Sequence, residues 1–172
     1  VHETACIAGE MELIITDHHL PGEQLPSALA VVDPHRVDCT YPDKNLSGVG
    51  VAFKLCQALW QTIRQEDYEA DLELVALGTV ADIVPLLGEN RKIVSLGLQR
   101  MQDSTLPGIQ ALLRVADLKD KTLNAGHIGF MLAPRLNAAG RMASATAGTE
   151  LLLTTNAARA ETLAVQLDQE NL

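Results

Sequence analysis

The sequence has few cysteines, few aromatic residues, little positive charge and no long apolar run. Its three cysteines, Cys6, Cys39 and Cys56, are widely spaced, and no two of them form a C-x-x-C pair. This pattern argues against a disulfide-stabilised scaffold and against a cysteine-based zinc site, and it is typical of free thiols in a reducing cytoplasm. No apolar run reaches the roughly 18 residues that a membrane helix needs. We therefore expect a cytoplasmic protein with no membrane-spanning segment.

The scarcity of positive charge bears on the kind of ligand. Lysine and arginine together number 13 against 22 acidic residues, which gives a net charge of −9. A domain that holds nucleic acid by charge alone is normally basic. This chain is therefore not expected to be a self-sufficient nucleic-acid binder, although acidic side chains can hold metal ions that bridge to phosphate.

The first part of the chain is rich in predicted strands. Short apolar runs at 11–16 and 28–32 are typical of buried parallel strands. Residues 33–46 are polar and contain two prolines, so they predict a long surface loop. Because the chain begins and ends within helical patterns, we expect it to be a fragment of a longer protein.

From Ser47 onward the apolar period becomes helical, with Ser47 as the N-cap. The segment 71–84 is apolar almost all round, which predicts a buried helix that ends at Val84, before Pro85. The helix that starts at Ser47 has one apolar face that runs from Val49 to Trp60. Other helices are predicted over 3–9, 89–102, 107–117, 124–141 with an interruption at Pro134, and 144–172 in two pieces with Asn156 as an N-cap. The fold class is therefore α/β: 1–46 contribute part of a parallel sheet flanked by helices, and 47–172 form a mainly helical section.

Three polar residues, Asp17, His18 and His19, follow the first predicted strand. Ligands of open parallel sheets bind at the carboxyl ends of the strands. Adjacent side chains of an extended segment point in opposite directions, so we expect one histidine to bind a metal and the other to face substrate. Asp17 is expected to orient a histidine by accepting its ring N–H. The alternative is three solvated residues after a strand, and the triplet alone leaves both interpretations open.

Asp82 is the second candidate, because it lies in the last turn of the apolar helix. A buried carboxylate without a partner is costly, and the negative end of the helix dipole adds to that cost. Protonation, a nearby cation or a metal ion would each relieve it. The alternative to a metal is a salt bridge to Arg91 or Lys92. A histidine with an aspartate suits Mn²⁺ or Mg²⁺ better than structural zinc.

The third candidate is the stretch APRLNAAGRM, residues 133–142, where Asn137 and Arg141 share a face if the segment is helical. An arginine among small residues suits phosphate binding, whereas the alternative is a helix-terminal arginine that bonds carbonyls. Gly48 and Gly50 are a weak phosphate-loop signal, and helix–sheet packing is favoured for them.

Five stretches together resemble the DHH phosphoesterase superfamily, and within it the bacterial exonucleases specific for single-stranded DNA. They are ITDHHLPGEQLPSALAVVDPHR, YPDKNLSGVGVAFKL, LELVALGTVADIVPLLGENR, PGIQALL and GFMLAPRLNAAGRM. The DHH triplet alone is a weak signal, whereas GTVADIVPL and PRLNAAGR separate this branch from smaller relatives. The resemblance implies a parallel sheet flanked by helices, with a two-metal Mn²⁺ or Mg²⁺ site at the strand ends.

The resemblance also implies roles for individual residues. His18 and Asp82 would be metal ligands, His19 would face the scissile phosphate, and Asp17 would support the site as part of the catalytic group. Two further residues would face the substrate backbone: Asn137 and Arg141.

The implied activity is metal-dependent 5′→3′ degradation of single-stranded DNA in repair and recombination, by a cytoplasmic monomer. A single-strand-binding protein or a helicase is a further expected partner. The superfamily's upstream Asp-x-Asp motif and its downstream nucleic-acid-binding domain are not among these residues, so we expect the chain alone to be inactive and to bind Mn²⁺ weakly. The alternatives are a small-molecule DHH phosphoesterase, pyrophosphatase-like or oligonucleotide-clearing, and a DHH replication scaffold that has lost its metal ligands.

Overall fold

A computed structural model describes residues 11–138 and 146–171. The predicted helix at 3–9 and the candidate Arg141 lie outside the described residues. The elements in chain order are β1 (Ile14–Thr16), β2 (Ala30–Val32), α1 (Gly48–Arg64), α2 (Leu72–Ala81), α3 (Gly88–Gln102), α4 (Pro107–Val115), α5 (Ala125–His127), a π-helical turn (Ile128–Leu132), α6 (Ala133–Ala138), α7 (Thr146–Leu153) and α8 (Ala157–Asn171). The predicted α/β class is confirmed. None of the helices in the described part of the chain has the length and apolarity that crossing a membrane requires.

The two strands pair in parallel, as predicted, with Ile15 opposite Val31 at the centre of the register. The prediction that they are buried is wrong, because Ile14 is 54% exposed and Val32 is 36% exposed. Within the described residues the sheet consists of these two strands, and α1 contacts β1. Side chains that alternate along a strand point to opposite faces, so Ile14 and Val32 stay exposed while their neighbours are partly covered.

The loop between β2 and α1 is long, as predicted, and it is held by side-chain hydrogen bonds. The ammonium group of Lys44 donates to the carbonyl oxygens of Pro34 at 2.7 Å and Cys39 at 2.8 Å. The amide of Asn90, at the start of α3, donates to the carbonyl oxygen of Asn45 at 2.6 Å. These bonds satisfy backbone acceptors that a loop cannot pair internally, and they fix the path by which the chain enters α1.

The helices pack through buried apolar faces, and α2 lies between its neighbours. A small cluster joins α1, α2 and α3 through Phe53, Leu72, Val75 and Ile93. A larger cluster extends from α2 through α8 and includes the fully buried Leu112. The buried character predicted for α2 is confirmed. The helix ends at Ala81 rather than at the predicted Val84, with Asp82 as its C-cap.

The two N-caps predicted from the sequence are present, and in each the side chain bonds a backbone N–H of its own helix. The hydroxyl of Ser47 accepts from the backbone N–H of Gly50 at 3.1 Å, which confirms Ser47 as the N-cap of α1. The side chain of Asn156 accepts from the backbone N–H groups of Ala158 and Arg159, both at 3.0 Å, at the start of α8. Each bond satisfies an N–H that has no partner within its helix.

Pro134 does not break the helical run, contrary to the prediction. Residues 125–138 are continuously helical, and the π-helical turn lies directly before α6. A proline lacks an N–H and crowds the preceding turn, and a wider turn is one way in which a helix accommodates it. The guanidinium of Arg135 donates to the carboxylate of Asp168 in α8 at 2.7 Å and to the carbonyl of Met131 at 2.6 Å. These contacts hold α6 in place.

A hydrogen bond between a tyrosine and an aspartate at the start of α2 shifts the pKa of the tyrosine, and this shift can be tested. The hydroxyl of Tyr68 donates to the carboxylate of Asp71 at 2.7 Å, and this bond, aided by partial burial, raises the pKa of Tyr68 to about 12. Because the pKa of Tyr68 is higher in the folded state than in the unfolded state, this hydrogen bond stabilises the fold fully below the ordinary tyrosine pKa. The stabilisation is lost as the pH rises through the folded-state pKa. We expect Asp71→Asn to lower the pKa of Tyr68, as measured by tyrosinate absorbance.

Tyr41 is the internal control, since it is the only other tyrosine of the chain. Burial and a hydrogen bond to Glu89 raise its pKa, and neither depends on Asp71. A titration in which Asp71→Asn leaves both tyrosine transitions unchanged would contradict the assignment.

Candidate functional site

Asp17 turns the chain as it leaves β1. Its carboxylate oxygen Oδ1 accepts from the backbone N–H groups of His18 at 2.7 Å and His19 at 3.2 Å. The same oxygen lies 2.7 Å from the ring nitrogen Nδ1 of His19. An aspartate that bonds the following backbone in this way favours a turn over an extended strand. The predicted hydrogen bond in which Asp17 accepts from a histidine ring is confirmed, and the ring is that of His19.

The two histidine rings lie side by side. Their centroids are 4.2 Å apart and their planes are inclined by 50°. Ligand atoms of Asp17, His18 and His19 all lie within 4.8 Å of one another, close enough to share one ion. The expectation that the two rings point in opposite directions is therefore wrong. It assumed an extended backbone, whereas the strand ends at Thr16 and Asp17 turns the segment.

The hydrogen bonds of Asp17 also set its charge. Partial burial works to raise the pKa of this carboxyl, but the hydrogen bonds from the His19 ring and from two backbone N–H groups outweigh it, and the pKa is lowered. The same bond raises the pKa of the exposed His19 imidazole. Asp17 is therefore held as a carboxylate at the carboxyl end of β1, where a cation would be attracted.

Asp82 reaches this group from the end of α2. Its carboxylate oxygen Oδ2 lies 3.4 Å from Nδ1 of His18. The carbonyl end of α2 adds partial negative charge beside the Asp82 carboxylate. A helix terminus and two carboxylates thus converge on the histidines, which is an arrangement that attracts cations.

The prediction that Asp82 is buried is wrong, since its side chain is 36% exposed. The helix ends at Ala81, the residue before Asp82, and Ile83 adopts a left-handed backbone with φ of 60°, so the chain turns away and leaves the carboxylate open. The alternative of an ion pair with Arg91 or Lys92 does not occur in the described part of the chain, where Asp82 faces His18 instead.

The start of α1 supports His18 from the other side. A Cβ atom added at Gly48 would lie 3.2 Å from Cδ2 and 3.5 Å from Nε2 of the His18 ring. The glycine therefore lets this ring pack directly on the helix N-terminus. This close packing against His18 favours helix–sheet packing, rather than phosphate binding, as the role of Gly48.

A recess of about 320 Å³ gathers these elements. Its lining includes His18 after β1, Asp82 after α2 and Asn137 from α6, together with Ser47, Gly48, Val49, Gly78 and Ala81. The structure thus brings three of the predicted site residues into one place, and Asp17 and His19 adjoin them through His18. Sequence reasoning assigned no site role to Ser47 or Gly78. No periodic pattern distinguishes a glycine or serine that lines a recess from one that only packs.

The donor set fits a divalent cation. Carboxylate oxygens suit Mg²⁺ and Mn²⁺, and imidazole nitrogens suit the later transition metals, so a mixed set of both is compatible with Mn²⁺. The two carboxylates and two imidazoles here are half-buried or exposed, and therefore accessible to an ion. The roles of individual residues as ligands stay predictions.

The chain is similar in sequence to known proteins. Residues 2–79 match the DHH family, N-terminal domain. The chain is 46% identical over 171 residues to the single-stranded-DNA-specific exonuclease RecJ of Dickeya dadantii (strain 3937), covering 92% of the chain and 30% of that protein. It is 45% identical over 173 residues to RecJ of Bacillus subtilis (strain 168), covering 99% of the chain and 21% of that protein. The chain thus spans less than a third of the length of these relatives.

Solved structures match as well. RecJ from Thermus thermophilus in complex with Mn²⁺ superposes with a TM-score of 0.82 at 38% identity, over 96% of this chain and 25% of that one. A crystal structure of exonuclease RecJ bound to manganese superposes with a TM-score of 0.85 at 37% identity, over 99% of this chain and 43% of that one. The family match over residues 2–79 agrees with the sequence identity and the superposition, which extend over nearly the whole chain, and the chain belongs to the DHH family.

Proposed function

We propose that the full-length protein is a metal-dependent exonuclease that degrades single-stranded DNA in the 5′→3′ direction. The observation that carries this proposal is the convergence of His18 and Asp82, 3.4 Å apart, beside the Asp17 carboxylate at the carboxyl end of β1. Support comes from solved RecJ structures that are bound to manganese and share this fold. His18 and Asp82 are the metal ligands of the proposed site, and the cofactor is Mn²⁺ or Mg²⁺.

Each residue of the site has a distinct task in this proposal. A bound cation would activate a water for attack on the phosphodiester and would offset the charge that develops on the phosphate. Asp17 engages Nδ1 of His19, so the other ring nitrogen of His19 is the one left to face a phosphate oxygen. Asn137, which lines the recess, is proposed to contact the substrate backbone. The same role is proposed for Arg141, which lies outside the described residues.

The charge of the chain shapes how it would hold DNA. With a net charge of −9, long-range attraction to a polyanion is unfavourable, so metal ions and other parts of the protein must supply the affinity. The biological setting we propose is DNA repair and recombination in the cytoplasm. The protein would act as a monomer on strands presented by a single-strand-binding protein or a helicase.

The test uses the full-length protein with a 5′-labelled single-stranded oligonucleotide and Mn²⁺, Mg²⁺ or EDTA. We expect labelled mononucleotides with either cation and no product with EDTA. The matched duplex and inorganic pyrophosphate are the control substrates, and both should be degraded far more slowly. Preferential hydrolysis of pyrophosphate would instead favour a small-molecule phosphoesterase, and inactivity on every substrate would favour a scaffold.

A further inference from the structure

Two buried hydroxyl groups join the helices that carry the site. Ser47 and Thr79 are both 0% exposed, and their side-chain oxygens lie 2.9 Å apart, within hydrogen-bond distance. Ser47 caps α1, whereas Thr79 lies in the last turn of α2. This bond is therefore a direct polar link between α1 and α2, close to the contact of Val49 with Gly78.

Each hydroxyl lies beside a residue of the proposed metal site. Ser47 precedes Gly48, on which the His18 ring packs. Thr79 lies three residues before Asp82, on the same terminal turn of α2, where the Asp82 backbone N–H donates to the carbonyl of Gly78 at 3.0 Å. A change in the Ser47–Thr79 distance would therefore change the separation of His18 from Asp82.

The helices approach closely at this point. A Cβ atom added at Gly78 would lie 2.8 Å from a methyl carbon of Val49, so the Val49 side chain of α1 packs directly on the backbone of α2. Ser47 also accepts from the N–H of Gly50, which fixes its rotamer and aims its hydroxyl at Thr79. Neither hydroxyl contacts solvent, so neither can replace its partner with bulk water.

We propose that the Ser47–Thr79 hydroxyl pair is a positioning element that sets the spacing of His18 and Asp82, and with it the affinity for the divalent cation. This inference rests on the proposed function, because it concerns the same metal site. Partners that orient metal ligands without touching the metal typically change metal affinity about 10–100-fold when they are removed.

The test measures Mn²⁺ binding to the full-length protein by titration of the free-ion electron paramagnetic resonance signal, with unfolding of the metal-free protein measured in parallel. Thr79→Val keeps the shape of the side chain but removes its hydroxyl, and we expect Mn²⁺ affinity to fall about 10-fold. Thr79→Ser keeps the hydroxyl and should bind nearly as tightly as wild type. The control is Thr62→Val in α1, because the Thr62 hydroxyl is exposed and bonds only its own helix.

A second variant removes the same hydrogen bond from the Ser47 side, so the test does not depend on the folding of one variant alone. Ser47→Gly removes the hydroxyl while keeping a residue that is acceptable at an N-cap. It should weaken Mn²⁺ binding at least as much as Thr79→Val does, because it also removes the cap bond to Gly50. The double variant should bind no more weakly than Ser47→Gly alone, because the Ser47–Thr79 bond is already lost in that single variant.

Several outcomes would overturn the inference. Wild-type Mn²⁺ affinity in Thr79→Val or in Ser47→Gly would do so, including the case in which only the metal-free stability falls. Equal weakening by Thr79→Val and Thr79→Ser would assign the effect to packing rather than to the hydroxyl. If the wild-type protein binds no Mn²⁺, the proposed function fails together with this inference, whereas tight wild-type binding with unaffected variants rejects only the positioning role.

Discussion

Replacing His18 or Asp82 with alanine in the full-length protein should reduce Mn²⁺-dependent degradation of single-stranded DNA by more than about 100-fold. Both side chains supply atoms to the proposed metal site, and they lie 3.4 Å apart. Loss of a direct ligand should cost more than loss of a residue that only orients one. The measurement is the initial rate of nucleotide release at saturating Mn²⁺, with Mn²⁺ affinity determined separately.

The fold should survive the Asp82 substitution. Asp82 is 36% exposed, so its removal should change the free energy of unfolding by no more than about 0.5 kcal/mol. A buried carboxylate without a partner would instead have made the alanine variant more stable than wild type. The matched control is Asp103→Ala, since Asp103 is also an exposed aspartate at a helix C-cap, that of α3. Wild-type activity in either His18→Ala or Asp82→Ala would remove that residue from the ligand set.

Gly97→Ala should destabilise the protein by about 3 kcal/mol, although alanine is the better helix former. A Cβ atom at Gly97, within α3, would lie 2.3 Å from the backbone oxygen of Leu72 and 2.4 Å from the Cβ of Ala76, both in α2. Backbone cannot rotate aside as a side chain can, so α2 and α3 must separate. Because α2 also carries Asp82 at its end, Mn²⁺ affinity should fall with stability.

Equilibrium urea unfolding checks this expectation. Gly148→Ala in α7 is the matched control, because the nearest atom to its added Cβ is the Leu136 oxygen at 3.5 Å, an ordinary contact. That variant should be neutral or more stable by up to about 1 kcal/mol, as helix propensity alone requires. A Gly97→Ala protein as stable as wild type would show that α2 and α3 can separate without loss of packing energy.

The end of α2 shows where sequence reasoning reached its limit in the fold. Apolar periodicity correctly predicted a buried helix, and Pro85 suggested that it continues to Val84. The helix instead stops at Ala81, and Ile83 takes a left-handed backbone that no local preference of isoleucine favours. Ile83 lies in the turn between α2 and α3, which pack against each other, so the exposure of Asp82 depends on tertiary packing and could not be inferred from composition.

The histidines show the same limit within the site. Their identity and their place after β1 were evident, and so was the capacity of Asp17 to bond a ring. The relative orientation of the two rings depends on whether the backbone stays extended after β1. Asp17 turns the backbone there through three hydrogen bonds to His18 and His19. Such side-chain turns compete with strand geometry, and residue spacing alone does not show which prevails.

The sequence by itself determined the α/β class, the approximate helices, the caps at Ser47 and Asn156, and the groups that can bind a cation. These features depend on bonds and periodicities within a few residues. Only the tertiary structure decided that His18 faces Asp82 and that Asn137 lines the same recess. Those juxtapositions depend on how α1 and α6 pack against α2, and such distances depend on atoms far apart in the chain.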